Sequence, residues 1–184
     1  MLEAEHKLKL LIQDRPWETE PDHLEWKEAT TKYKCEVKRN PMTLALCGYV
    51  TVPKKHHFYG LHYDKPSVSV HGGLTYADKG KFGFDCAHAG DLSPGVLLSI
   101  LAASKDPARY MEATERFDTY RTFDWVVKET EKLARGLHRA DAELEDMFFM
   151  EAAKNAIRRG AHASKLMAEE YERVKAAWLK SLED

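Results

Sequence analysis

The sequence predicts an α+β protein: a small antiparallel sheet over about residues 35–90, packed with helices and followed by more of them. Two observations carry this. Between Cys35 and about Pro94, glycine, proline, histidine and β-branched or aromatic residues concentrate, and apolar residues alternate in short runs. From about Ser99 onward glycine and proline almost vanish, Pro107, Gly136 and Gly160 apart, and apolar residues recur at three- and four-residue steps. A length of 184 residues fits one core. We divide it into a core domain at 1–138 and a helical extension at 139–184.

Taken in order, residues 1–32 are rich in helix formers and are broken by Pro16 and Pro21. They read as helix, linker and a short helical turn from Pro21-Asp22 to Trp26. Leu44, Leu46, Val50 and Val52 alternate around Gly48 and supply one strand. Residues Ser67–Tyr76 and Phe82–Cys86 read as a hairpin joined by the five residues Ala77–Lys81. With Tyr76 opposite Phe82, one face collects Val68, Val70, Gly72, Leu74, Tyr76, Phe82, Phe84 and Cys86, and is core. The other collects Ser67, Ser69, His71, Gly73, Thr75, Lys81, Gly83 and Asp85. Two helical stripes follow: Phe117, Tyr120, Phe123, Val127, Leu133 and Leu137, then Met167, Tyr171, Val174 and Trp178. Both read as packing seams. Gly160 either ends a helix or weakens a long one. The C-terminal helices either cover a sheet face or pair with a second copy of the chain, which would make a homo-oligomer.

Composition removes several functions. With 28 Lys+Arg against 30 Asp+Glu, the net charge of -2 offers no field for a long nucleic acid. No run nears the roughly 18 apolar residues of a membrane span, and His6, Lys7 and Lys9 interrupt the N-terminal apolar stretch, unlike a signal peptide. The expected location is the cytoplasm. Cys35, Cys47 and Cys86 are odd in number and form no C-x-x-C pair, so they read as reduced thiols, Cys86 chiefly as a small buried hydrophobe.

The chemistry concentrates in Ser67–Asp91. A solvated hairpin face normally carries Lys, Glu, Arg and Thr; this one carries a histidine, hydroxyls and an aspartate separated by glycines. The run D-C-A-H-A-G-D directly after it adds His88 and Asp91. We take His71, Asp85, His88 and Asp91 as candidate catalytic residues, against turn and capping roles for the two aspartates. Histidine beside aspartate suits acid–base work near neutral pH, and the same four residues offer the nitrogen and oxygen donors of a divalent metal. Ser69, Gly73 and Thr75 are candidates to receive a phosphate or hydroxyl. H-G-G-L-T lacks the spacing of a phosphate-binding glycine loop.

These residues lie in blocks that resemble a family of uncharacterised proteins of bacteriophages and some bacteria. The blocks are C-E-V-K-R-N-P at Cys35–Pro41, C-G-Y-V-T-V-P at Cys47–Pro53, H-H-F-Y-G at His56–Gly60, V-H-G-G-L-T-Y at Val70–Tyr76 and G-F-D-C-A-H-A-G-D at Gly83–Asp91. The resemblance covers residues 33–95. In the family the hairpin loop is often longer and carries tryptophans; here it is only Ala77–Lys81, so contacts made from that loop are not carried over. What the resemblance implies is a phage setting, in the host cytoplasm, and action on nucleotide signals of host defence. On that basis the expected function is hydrolysis of a phosphorylated, nucleotide-like small molecule, in the manner of a phosphodiesterase, at the His/Asp pocket. The alternatives are a non-catalytic sponge for such a molecule and a structural or partner-binding phage protein working through its C-terminal helices. For phosphate and base contacts the candidates are Lys38, Arg39, Tyr49, His56, His57 and Tyr59.

Overall fold

The computed structural model describes residues 15–103, 119–159 and 164–182. A short helix α1 (Pro16–Thr19) precedes a five-stranded antiparallel sheet: β1 (His23–Lys27), β2 (Lys34–Arg39), β3 (Leu46–Thr51), β4 (Tyr76–Asp78) and β5 (Lys81–Asp85). The spatial order is β1-β2-β3-β5-β4, so β5 returns between β3 and the edge strand β4. Three helices complete the described chain: α2 (Pro94–Ala103), α3 (Phe123–Arg158) and α4 (Ser164–Ser181). The α+β class expected from the sequence is the class observed. Among the described residues, no helix is long and apolar enough to cross a membrane.

Alternation fixes the two faces of the sheet. Cys35, Val37, Leu46, Val50, Phe82 and Phe84 point inward, all 1% exposed or less. They meet Phe123, Val126, Leu133, Ala134 and Leu137 of α3, whose spacing of three and four residues makes one buried stripe. Gly48 marks the closest approach of helix to sheet. A Cβ there would lie 2.3 Å from Thr130 Oγ1 and 2.5 Å from the Phe84 ring. Glycine to alanine in a strand usually gains a little by limiting the unfolded chain, but both neighbours here are fully buried. Gly48→Ala is therefore expected to cost about 3 kcal/mol through overpacking, read as a shift in the urea midpoint. A neutral result would mean that α3 can retreat from the sheet at no cost.

Three sequence expectations are corrected. The segment from Pro21 to Trp26 is not a helical turn: residues His23–Lys27 form β1, paired with β2 through His23↔Lys38 and Trp26↔Cys35, and the short helix lies at Pro16–Thr19 instead. Partnering by β2 outweighs the local helix-start signal. The hairpin turn is Lys79-Gly80, not Ala77–Lys81. Both residues have positive φ, 45° and 83°, as a two-residue turn with the right twist requires. Tyr76 therefore opposes Gly83, and Ala77 opposes Phe82, one residue out of the expected register. That slip moves Tyr76 to the outer face, where it is exposed. Finally, Ser67–Thr75 is not a strand. Gly72 and Gly73 both adopt left-handed φ, 65° and 84°, and fold the chain away from the ladder before β4 begins.

Helix α3 starts at Phe123 with Thr122 as N-cap, so Tyr120 of the first stripe lies before it, packed with Trp17, Leu92 and Leu97; Phe117 is outside the described residues. The helix runs unbroken across position 138. Its second half leaves the sheet and pairs with α4, with Trp178 against Phe58 and Phe148. Gly160 lies outside the described residues.

Candidate functional site

Three of the four expected catalytic residues converge. Asp91, with a side chain only 1% exposed, lies where the chain leaves the β5 end, its backbone bridged to Thr119. His71 Nε2 is 2.7 Å from Asp91 Oδ2, and Arg121 Nε donates to Oδ1 at 2.8 Å. The amide of His88 donates to Oδ2 at 3.2 Å, and His88 Nδ1 lies 3.6 Å from the same oxygen. The two imidazoles meet edge to face, with centroids 5.6 Å apart. Burial alone would raise the Asp91 carboxyl, but the hydrogen bonds from His71 and Arg121 outweigh it and hold the group below the usual carboxylate range.

Helix α3 closes the site from above. His71 meets Trp125 edge to face, with ring centroids 5.2 Å apart, and the Arg121 guanidinium lies 4.8 Å over the same Trp125 ring. The amide of His71 donates to Glu129, which also holds Lys132. Sequence reasoning missed Arg121, Trp125 and Glu129. They stand thirty or more residues beyond the motif, and a cation four residues before an aromatic at a helix start is a common pattern with no site signature of its own.

One feature stands out chemically. His88 Nδ1 is buried and makes no hydrogen bond. Buried polar atoms are ordinarily paired. A nitrogen of His71, a nitrogen of His88 and a carboxylate oxygen of Asp91 all lie within 4.8 Å of one another, which is a donor set for a divalent ion. Asp85 stands at the edge: its Oδ1 is 3.8 Å from His88 Nδ1 and caps the Ala87 amide, and its Oδ2 accepts from Thr75. A second donor set, His23, Glu25 and Glu36, lies on the outer sheet face, where Lys34 and Lys81 already engage its carboxylates.

Gly72 makes the cluster feasible. A Cβ there would fall 2.1 Å from His88 Cε1, whereas one on Gly73 would meet nothing. Both positions have left-handed φ, so alanine strains the backbone at either by about 1 kcal/mol. Only Gly72→Ala is expected to displace the His88 ring, seen as shifted His88 imidazole resonances. Unmoved resonances, or an equal shift in Gly73→Ala, would refute the contact.

The other expected ligand residues are not gathered here. Arg39 is buried and spends its guanidinium on Asp22, Glu20, Tyr120 and the carbonyls of Pro21 and Leu44. His56 is buried, donating from Nε2 to the Leu137 carbonyl and accepting the Phe58 amide at Nδ1; burial pulls its pKa down. His57 bridges Asp141 and Glu145 of α3. The Tyr59 ring occupies the space above Gly80, and Tyr49 covers Gly83, so that the latter glycine serves a neighbouring side chain. Lys38 is exposed on the outer face, in line with Cys47. Ser69 lines a groove of about 230 Å³ with Lys132, Gly136 and Arg139 of α3. Cys86 is 2% exposed and burial raises its thiol pKa far above the ordinary value.

No protein-family model, curated protein or solved structure matches the chain.

Proposed function

We propose that the chain is a small hydrolase that cleaves a phosphate ester bond in a nucleotide-like molecule at the His71–His88–Asp91 centre. The observation that carries this reading is the convergence of two imidazoles on one buried carboxylate, with His88 Nδ1 buried beside it and making no hydrogen bond. Asp91 fixes the orientation and tautomer of His71, and Arg121 fixes Asp91. In the reaction water attacks phosphorus as one imidazole takes its proton; the bond to the leaving oxygen breaks as the other imidazole supplies a proton. Arg121, whose side chain is 27% exposed, also presents positive charge to the developing phosphoryl charge. His71, His88 and Asp91 are the residues that would hold a divalent ion, which when bound would polarise the phosphoryl group. The link to phosphorylated signals of host defence rests on the resemblance to the phage family.

The test is consumption of a panel of cyclic and linear nucleotides by the wild type, His71→Ala and His88→Ala. Each variant is expected to fold and to lose about a hundredfold or more in rate. Folded variants as fast as the wild type would end the proposal. A nucleotide bound tightly and recovered intact after heat denaturation would show sequestration instead.

A further inference from the structure

The opposite end of the sheet carries a second concavity of different chemistry. A cleft of about 550 Å³ opens between the β1–β2 turn, the chain leaving β3 and the middle of α3. That volume lies within the range of small-molecule sites. Lys32 and Lys34 line it from the β1–β2 turn and the start of β2, and Lys55 from the chain leaving β3, with Thr31 and Thr51 as hydroxyls and Tyr33 and His138 as rings. His138 is thirteen residues beyond Trp125 on α3, roughly 20 Å along the helix. The cleft is therefore separate from the His71 centre.

Its charge runs against that of the molecule. The chain has a net charge of -2, yet the cleft collects three lysines against one carboxylate, Asp141. Asp141 is already committed, since its Oδ1 accepts both the backbone amide and Nδ1 of His57. Lys34 pairs with Glu25 outside the cleft at 2.9 Å. Among the described residues, Lys32 and Lys55 have no carboxylate within ion-pairing distance; Lys32 Nζ donates only to the Ala29 carbonyl. Lys32 on the β1–β2 turn and Lys55 after β3 thus bring two cations without ion-pair partners to one concavity, which favours an anion there.

The rim is also built. Glu28 is 2% exposed, and its carboxylate accepts the amides of Thr30 and Thr31, the Thr31 hydroxyl and Arg135. This holds the turn that carries Thr31 and Lys32, the latter at a φ of 60°, a conformation lysine seldom adopts. The Tyr33 ring is fixed between His56 and His138, edge to face with both. A rigid rim loses little entropy when it binds.

We propose that this cleft is a binding site for a phosphorylated small molecule of mononucleotide size, its phosphate held by Lys32 and Lys55 and its ring against Tyr33 and His138. The site does not depend on hydrolysis at His71. Calorimetric titration of the full chain with AMP tests it, with adenosine as the control that lacks phosphate. AMP is expected to bind saturably and adenosine at least tenfold more weakly. The variant carrying Lys32→Ala and Lys55→Ala, and separately Lys55→Glu, should weaken AMP binding tenfold or more while leaving the thermal unfolding midpoint unchanged; His71→Ala should leave binding unchanged. The inference is overturned if AMP does not bind at millimolar concentration, if the lysine variants bind as the wild type does, or if His71→Ala weakens binding as much as they do. The last result would place the phosphate at the His71 centre and would count for hydrolysis there.

Discussion

Asp91→Asn is expected to lower nucleotide turnover by about a hundredfold and to cost about 3 kcal/mol of stability. Both effects follow from its donors. Asp91 Oδ2 accepts from His71 and from the His88 amide, and Oδ1 accepts from Arg121. An amide must turn its NH2 toward one of these donors, so one contact becomes repulsive and Arg121 loses its counter-charge. Stability should carry a pH signature. Because the folded-state pKa of Asp91 is depressed, its contribution is complete above the ordinary carboxylate value of about 4 and is lost as pH falls through the depressed one. The gap between wild type and variant, taken from urea unfolding, should be constant above about pH 5 and should shrink below about pH 3. A gap that does not change with pH would show that the carboxylate charge is not what holds the cluster.

Arg39→Met is expected to cost about 3–5 kcal/mol, since it breaks a buried pair by removing one partner. The side chain of Arg39 is 4% exposed and that of Glu20 16%. Together with Tyr120 they tie the segment before β1 to the end of β2 and to the start of α3, where Glu20 also accepts the Phe123 amide. Tyr120→Phe should weaken the same network, and the double variant should lose less than the sum of the two. Strict additivity, or a cost below about 1 kcal/mol, would show that the contacts act independently.

The class of the fold and the strands β3 and β5 were legible because their inner faces alternate strictly: Leu46, Gly48 and Val50 against Phe84 and Phe82. The helical stripe Phe123, Leu133 and Leu137 was legible for the same reason at helical period. What escaped is non-local. Trp26 joins a strand because Cys35 is opposite it, and nothing in Pro21–Trp26 itself announces a partner. Ser67–Thr75 alternates on paper, yet two consecutive left-handed glycines outweigh alternation. At the site, His71, His88 and Asp91 were within reach because they are close in sequence, while Trp125 comes from a helix, and Arg121 from the segment just before it, that could be packed only once the sheet was known. Arg39 shows the reverse error. A cation in an unusual block suggested a ligand, but it is 6% exposed and its partners Glu20, Asp22 and Tyr120 come from other segments.

The placement of α3 over the sheet has a consequence for synthesis. The strands end at Asp85, whereas the residues that cover their inner face run from Phe123 to Leu137, about forty to fifty residues later. At ribosomal rates of about 5–20 residues per second, the sheet's apolar face waits roughly 2–10 s for its cover. During that interval Val37, Val50, Phe82 and Phe84 have no helix against them. Slowing translation between residues 86 and 123 should therefore lower the soluble yield of a protein whose finished form is unchanged.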